Sequence, residues 1–150
     1  MNTSWVAILR ITVGIFFLAQ GLHKLDWLNA SEFLKLNLDR YAQGAHPAAI
    51  WYQDHVAKPG IEAWARLIPI GEMLIGVSLI LGLLTQTTLI IATALVVNFH
   101  IANGILFTVG FFSNPYALLL VACLIVLWFL RPAATWAIDG SSRKKKMKRG

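Results

Sequence analysis

Four apolar blocks, at about residues 5–23, 65–84, 87–109 and 115–131, constrain this chain more than any other feature of it. Inside hydrocarbon no water is available to bond backbone N–H and C=O groups, so a spanning segment must satisfy them itself. Each block approaches the ~20 residues that carry a helix across ~30 Å of hydrocarbon. The expected fold is an all-α membrane protein, a four-transmembrane-helix bundle, with residues 1–140 forming a single membrane domain. Composition agrees: 57% of the chain is hydrophobic and only 13% is charged, a balance foreign to soluble domains.

The formal net charge of +6 is unevenly spread, because Arg143, Lys144, Lys145, Lys146, Lys148 and Arg149 crowd into the tail 141–150. The remainder is close to neutral. That pattern argues against a nucleic-acid partner and for a topology signal or contact with anionic membrane lipid. Four spans put both termini on one side. The excess of Lys and Arg after the last span, against Lys35, Arg40 and Lys58 between the first two, puts the termini and the basic tail in the cytoplasm. The 25–63 segment is then extracytoplasmic.

The first block has some look of a cleaved signal peptide, with Ala19-Gln20-Gly21 as a small-residue site. Arg10 inside the apolar run speaks for a retained helix instead. The single cysteine, Cys123, falls in the last block and cannot form a disulfide within the chain, so it reads as an apolar filler.

The 25–63 segment carries helix signals of its own. "SEFLKLNLDRYAQG" has Ser31 at a capping position, Phe33, Leu34, Leu38 and Tyr41 at helical spacing, and a stop at Gly44. "HPAAIWYQDHVAKPG" suggests a second short helix, entered at Pro47 and ended by Pro59-Gly60. Trp27, Trp51, Tyr52 and Trp64 suit a headgroup belt. The segment is expected to form a helical lid over the outer face.

Polar residues inside the spans are costly and mark function by default. Gln20, His23 and Lys24 close the first helix, Glu72 lies early in the second, and His100 and Asn103 lie late in the third. The topology brings all of them to the lid end. Arg10, Gly14, Phe17, Gly21 and Lys24 share one face of the first helix; Glu72, Gly76, Leu79 and Leu83 share one of the second; Thr93, Val96, His100, Asn103 and Phe107 share one of the third. Asn98 is expected to point away. Gly14 and Gly21 would let a neighbouring helix, or a ligand, approach closely, and Gly76 is given a structural role. Glu72 has Lys24, His100 and Gln20 as candidate partners, the simplest account being an interhelical ion pair with Lys24.

At the opposite end, Arg10 is expected to snorkel to the inner interface or to pair with Asp139, a structural role either way. The chain contains no P-loop, no dinucleotide fingerprint, no CxxC and no HExxH. No bound metal or nucleotide is expected; His46 and His55 in the lid are a weak pair of ligands, and haem between His23 and His100 is disfavoured by water at His23.

"LRITVGIFFLAQGLHKL" and "IGEMLIGVSLILGLLTQ" resemble the DoxX/DoxD family of small four-helix membrane proteins. The shared pattern is Arg10 and Gly14, then Gly21-x-x-Lys24, then Glu72 with spaced glycines and a Leu-Gly-Leu-Leu-Thr close. "AQGAHPAAIWYQDHVAKPG" and "NFHIANG" lean to the DoxD-like branch. That resemblance implies a bacterial or archaeal plasma membrane and the small subunit of a thiosulfate:quinone oxidoreductase, with a second redox subunit as partner.

Two functions therefore stand. In one the chain is a subunit of a quinone-linked oxidoreductase that passes electrons from thiosulfate or another small sulfur compound to membrane quinone, a diffusible acceptor. Glu72 and His100 would then be catalytic proton donors, while Gln20, Lys24 and Asn103 bind substrate or quinone. In the other, the chain is a non-enzymatic scaffold or small-solute carrier using the same polar pocket. Either accommodates a homo-oligomer.

Overall fold

The structure, a computed structural model, describes residues 3–114, 116–130 and 136–138. Its long helices are α1 (Thr3–His23), α4 (Ile61–Leu81) and α5 (Thr85–Ala102), with α2 (Glu32–Ala42) and α3 (Pro47–Tyr52) between the first two. A short α6 (Gly110–Ser113) and the apolar α7 (Leu118–Leu130) follow. No strand occurs among the described residues. Three helices, α1, α4 and α5, are long and apolar enough to cross a membrane. The fourth apolar block forms α7, whose 13 described residues are shorter than a span. Pro115, Arg131, Asp139 and the tail 141–150 lie outside the described residues.

Periodicity decides which face of each helix turns inward. Helix α1 buries Val6, Ala7, Arg10, Val13, Gly14, Phe17 and Gly21, and α4 buries Ala65, Ile68, Pro69, Glu72, Ile75, Gly76 and Leu79. Both follow the i, i+3, i+4, i+7 rhythm of a helix with one packed face. Val6, Val13, Phe17, Ile75, Leu79, Leu89, Ala92, Val96, Leu124 and Leu127 form a common core from α1, α4, α5 and α7. The opposite faces keep Ile15, Leu74, Ile90, Ile91 and Phe129 exposed. So much outward apolar surface is untenable in water and costs nothing in lipid.

Helices α1 and α4 pack more extensively than any other pair, and glycine is the reason. A Cβ placed on Gly76 would stand 2.6 Å from the Leu18 nitrogen and 2.8 Å from the Gly14 carbonyl oxygen. One placed on Gly21 would stand 2.8 Å from the Pro69 carbonyl oxygen. Gly14 and Gly21 therefore let a neighbouring helix approach closely, as expected, and Gly76 supplies the matching close approach from α4.

The third block differs from its expected course. Helix α5 ends at Ala102, because Gly104 adopts φ +75°, and a single tight turn over Ile105–Phe107 follows. Asn103 therefore sits just past the helix end, its Oδ1 accepting from the Ile105 N–H at 3.0 Å. Helix stripes extended to Phe107 do not apply there.

The lid is helical, as its signals imply. Leu34 and Leu38 of α2 pack with Ala57, Ala65, Ile68 and Ala102, joined by Trp27, Tyr52, Trp64 and Phe99. Burying a leucine of this kind is worth roughly 2 kcal/mol relative to exposure. Ser31 stands before α2 without capping it: its hydroxyl donates to Glu62 of α4 at 2.5 Å. After α3 the helix widens by one residue, with the Lys58 N–H bonding the Gln53 carbonyl. That wider turn buries Gln53 completely, and its Nε2 donates to the Ala102 carbonyl at 2.6 Å. The bond satisfies one of the carbonyls that a helix C-terminus leaves open, and fastens the lid to α5.

Arg10 does not snorkel. It is fully buried, and its Nη2 donates to the Trp136 carbonyl at 2.7 Å, in the segment after α7. A Cβ on Gly82, at the α4–α5 turn, would come within 2.8 Å of Arg10 Nη1. The guanidinium thus lies close against Gly82 at the α4–α5 turn and bonds α1 to the chain beyond α7. The alternative partner, Asp139, is outside the described residues.

Candidate functional site

Beneath the lid lies a cavity of about 450 Å³ between the ends of α1, α4 and α5. Gln20 and Lys24 reach it from the end of α1, Glu72 from α4, and His100 and Asn103 from the end of α5. The five polar residues singled out in the sequence are thus brought to one place. Depth explains this: the end of α1, the start of α4 and the end of α5 all meet the lid. His23 also borders the cavity but is exposed.

Lys24 and Glu72 form its floor. Nζ of Lys24 donates to both carboxylate oxygens of Glu72, at 2.6 and 2.7 Å, and approaches Gln20 Oε1 at 3.4 Å. The Glu72 residue is 3% exposed. The ammonium also lies 5.3 Å from the Phe99 ring centre and 5.8 Å from that of Trp27. Cation–π attraction of this kind stabilises a charge removed from water. Glu72 thus has Lys24, alone among its expected partners, as its hydrogen-bond donor. The pair is mutually satisfied, which makes Glu72 a holder of Lys24 more than a free acid.

His100 is different. It is 6% exposed, and neither ring nitrogen has a hydrogen-bond partner among the described residues. The Tyr116 backbone approaches the ring as a weak hydrogen-bond partner that falls short of a well-formed bond, and Phe111 meets the ring edge-on with centres 5.8 Å apart. A buried donor or acceptor left unmatched costs about 1–3 kcal/mol. Such a group is explained when a ligand supplies the missing bond.

The cavity holds more than the sequence reveals. Asn98, expected to face away, lines it and accepts a hydrogen bond from the Tyr52 hydroxyl. The lid folds over this side of α5, so a face that looks outward on the helix alone is covered. Trp27, Tyr52 and Trp64, read as a headgroup belt, also line the cavity, whereas Trp51 is exposed and stacks on His55. Burial pushes the Tyr52 phenol above its ordinary value. Asn37, Tyr41 and Tyr116 join the wall; the apolar spacing of α2 pointed to its buried face but not to Asn37 beside it.

Among the described residues no group of three or more His, Cys, Asp or Glu is placed to hold a metal ion. His46 is engaged locally: its Nδ1 accepts from the Ala48 N–H at 3.2 Å. His55 Nδ1 lies 2.9 Å from the Trp51 carbonyl oxygen. Phe16, Phe17, Trp64 and Phe99 surround the polar groups with aromatic surface.

The family model DoxX matches residues 5–98. No curated protein matches the chain, and no solved structure does. The matched span includes Arg10, the α1–α4 glycines, Lys24 and Glu72, and stops short of His100 and Asn103. With three helices able to cross a membrane and a family model covering more than half its length, the chain belongs to the DoxX family of integral membrane proteins.

Proposed function

We propose that the lid-covered cavity binds the headgroup of a membrane quinone, and that the chain is a subunit of a quinone-linked oxidoreductase. The observation that carries this reading is His100, a buried imidazole with no well-formed hydrogen bond at either nitrogen and only the Tyr116 backbone as a weak partner, in an aromatic-lined cavity. A quinone carbonyl would supply the missing bond, and Phe16, Phe17 and Phe99 would stack against the ring. Quinone contributes the two-electron chemistry, taking up two electrons and two protons to become quinol.

The chain's own residues then divide the work. His100 holds one carbonyl oxygen and passes a proton to it. Lys24, kept in place by Glu72 and Gln20, lends positive charge to the same cavity, and Asn103 offers a further polar contact. The electrons come from a donor outside the chain, such as thiosulfate, two molecules of which yield two electrons on coupling to tetrathionate. They pass directly or through a second redox subunit. By the charge bias between loops, the lid and cavity face the extracytoplasmic side, where a water-soluble donor would arrive.

A scaffold or solute-carrier role is the competing account, and the self-satisfied Lys24–Glu72 pair favours it, since such a pair can simply lock α1 to α4. Titration with a short-chain quinone separates the two. Trp27 and Trp64 line the cavity, so binding quenches their fluorescence saturably. The quinone reading predicts saturable quenching that His100→Ala weakens at least several-fold. Quenching that is linear, or equal in both proteins, favours the scaffold.

A further inference from the structure

A second cavity of about 490 Å³ adjoins the first. Tyr41, His100, Asn103 and Tyr116 belong to both walls. The two differ in character: aromatic and aliphatic side chains dominate the inner one, whereas Gln43, His46, Thr108 and Asn114 bring hydrogen-bonding groups to the outer one. His100 stands where they meet. We infer that the outer cavity is a solvent inlet that supplies protons to His100. This rests on the proposal that His100 protonates a quinone in the inner cavity.

An imidazole sealed among aromatic rings can give up one proton and then stops, because nothing returns it. Turnover needs a path to water. The inner cavity cannot serve while a quinone ring fills it, and Lys24 and Glu72 are committed to each other. The outer cavity is the more polar of the two, and His100 belongs to its wall as well as to that of the inner one. For each quinone reduced, His100 twice takes a proton from water in the inlet and passes it on to the quinone, while two electrons arrive from the donor, so that the two protons and two electrons of the quinol are accounted for. Ring and proton supply are thereby separated, apolar on one side of the imidazole and aqueous on the other.

Two features of the outer wall favour this role. Gly104, with φ +75°, lets the chain turn sharply after α5 and keeps bulk away from the inlet; a Cβ there would meet Ala49 and Ala45 at 3.3 and 3.5 Å. Asn103 and Asn114 spend their side-chain oxygens on the Ile105 and Tyr116 N–H groups, at 3.0 and 2.8 Å. Both loops bordering the inlet are therefore fixed by their own residues, which keeps the opening in place.

The test blocks the inlet and reads access to His100 directly. The full-length protein in detergent is treated with diethyl pyrocarbonate, which modifies reachable neutral imidazoles, and the rate at each histidine is followed by peptide mass. Ala45→Trp and Thr108→Phe narrow the outer cavity from different segments, and neither replaces a residue that lines the inner one. The inlet predicts that each slows His100 labelling about tenfold or more, since access would then require local opening, while His23, on the inner cavity only, reacts as before. Unchanged His100 labelling in a variant whose His23 rate is unchanged overturns the inlet. Quinone content of the same samples is measured in parallel. Slowed His100 labelling in protein that never holds quinone leaves the inlet standing and removes the quinone reading.

Discussion

Lys24 and Glu72, one just past the end of α1 and one from the interior of α4, meet with Nζ 2.6 and 2.7 Å from the two carboxylate oxygens. The pair closes the cavity floor beside Gln20 and holds α1 against α4 just below the lid. Removing one partner strands a buried charge. Lys24→Met and Glu72→Gln are each expected to destabilise the protein by about 3 kcal/mol, with the double variant losing much less than their sum. Reversible unfolding in detergent measures this. Two small, additive losses would mean that the pair does not hold the helices.

Glycine packing gives a prediction with an internal control. Gly76→Leu should fail to fold or lose about 3 kcal/mol, because even a Cβ meets the Leu18 nitrogen at 2.6 Å. Gly71 lies on the same helix with nothing within 4 Å of a Cβ. Gly71→Ala should therefore be neutral or stabilising by up to about 1 kcal/mol, through helix propensity alone. Thermal unfolding of the two variants side by side decides it; equal losses would show that close backbone approach is not what selects Gly76.

The lid should loosen at high pH. Burial holds the Tyr52 phenol above its usual pKa of about 10, so the closed lid keeps a proton that an open one has lost. The contribution is complete below pH ~10 and is lost as pH rises through the value in the closed lid. Cleavage of residues 25–60 by an alkaline-active protease should accelerate in that range for the wild type. Tyr52→Phe removes the bond to Asn98, so its lid should open more readily at neutral pH and lack the Tyr52-dependent rise. Matching pH profiles in the two proteins would rule out Tyr52 as the cause.

Particular residues show how far the sequence could be read. Lys24, Glu72 and His100 were placed together by depth and helical face, two quantities that any long apolar helix makes legible. Asn98 escaped because its exposure depends on where the lid folds, a tertiary fact that helix geometry does not contain. Arg10 was expected at the interface; its burial depends on the Trp136 carbonyl, which comes from a segment with no recognisable pattern. The end of α5 was overrun because apolar residues continue to Val109, and only the positive φ at Gly104 breaks the helix. Nothing in the sequence marks Gln53 as buried; the widened turn after α3 places its amide on the Ala102 carbonyl.

A quinone held at His100 should travel with the purified protein. Mass spectrometry of lipid extracts, wild type beside His100→Ala and Glu72→Gln, reads this out. Near-stoichiometric quinone is expected in the wild type and its loss from His100→Ala, with partial loss from Glu72→Gln as Lys24 is released. If no quinone is found, or all three proteins hold it equally, a quinone site at His100 is contradicted, and Lys24–Glu72 is then an interhelical brace beneath a cavity made for something else.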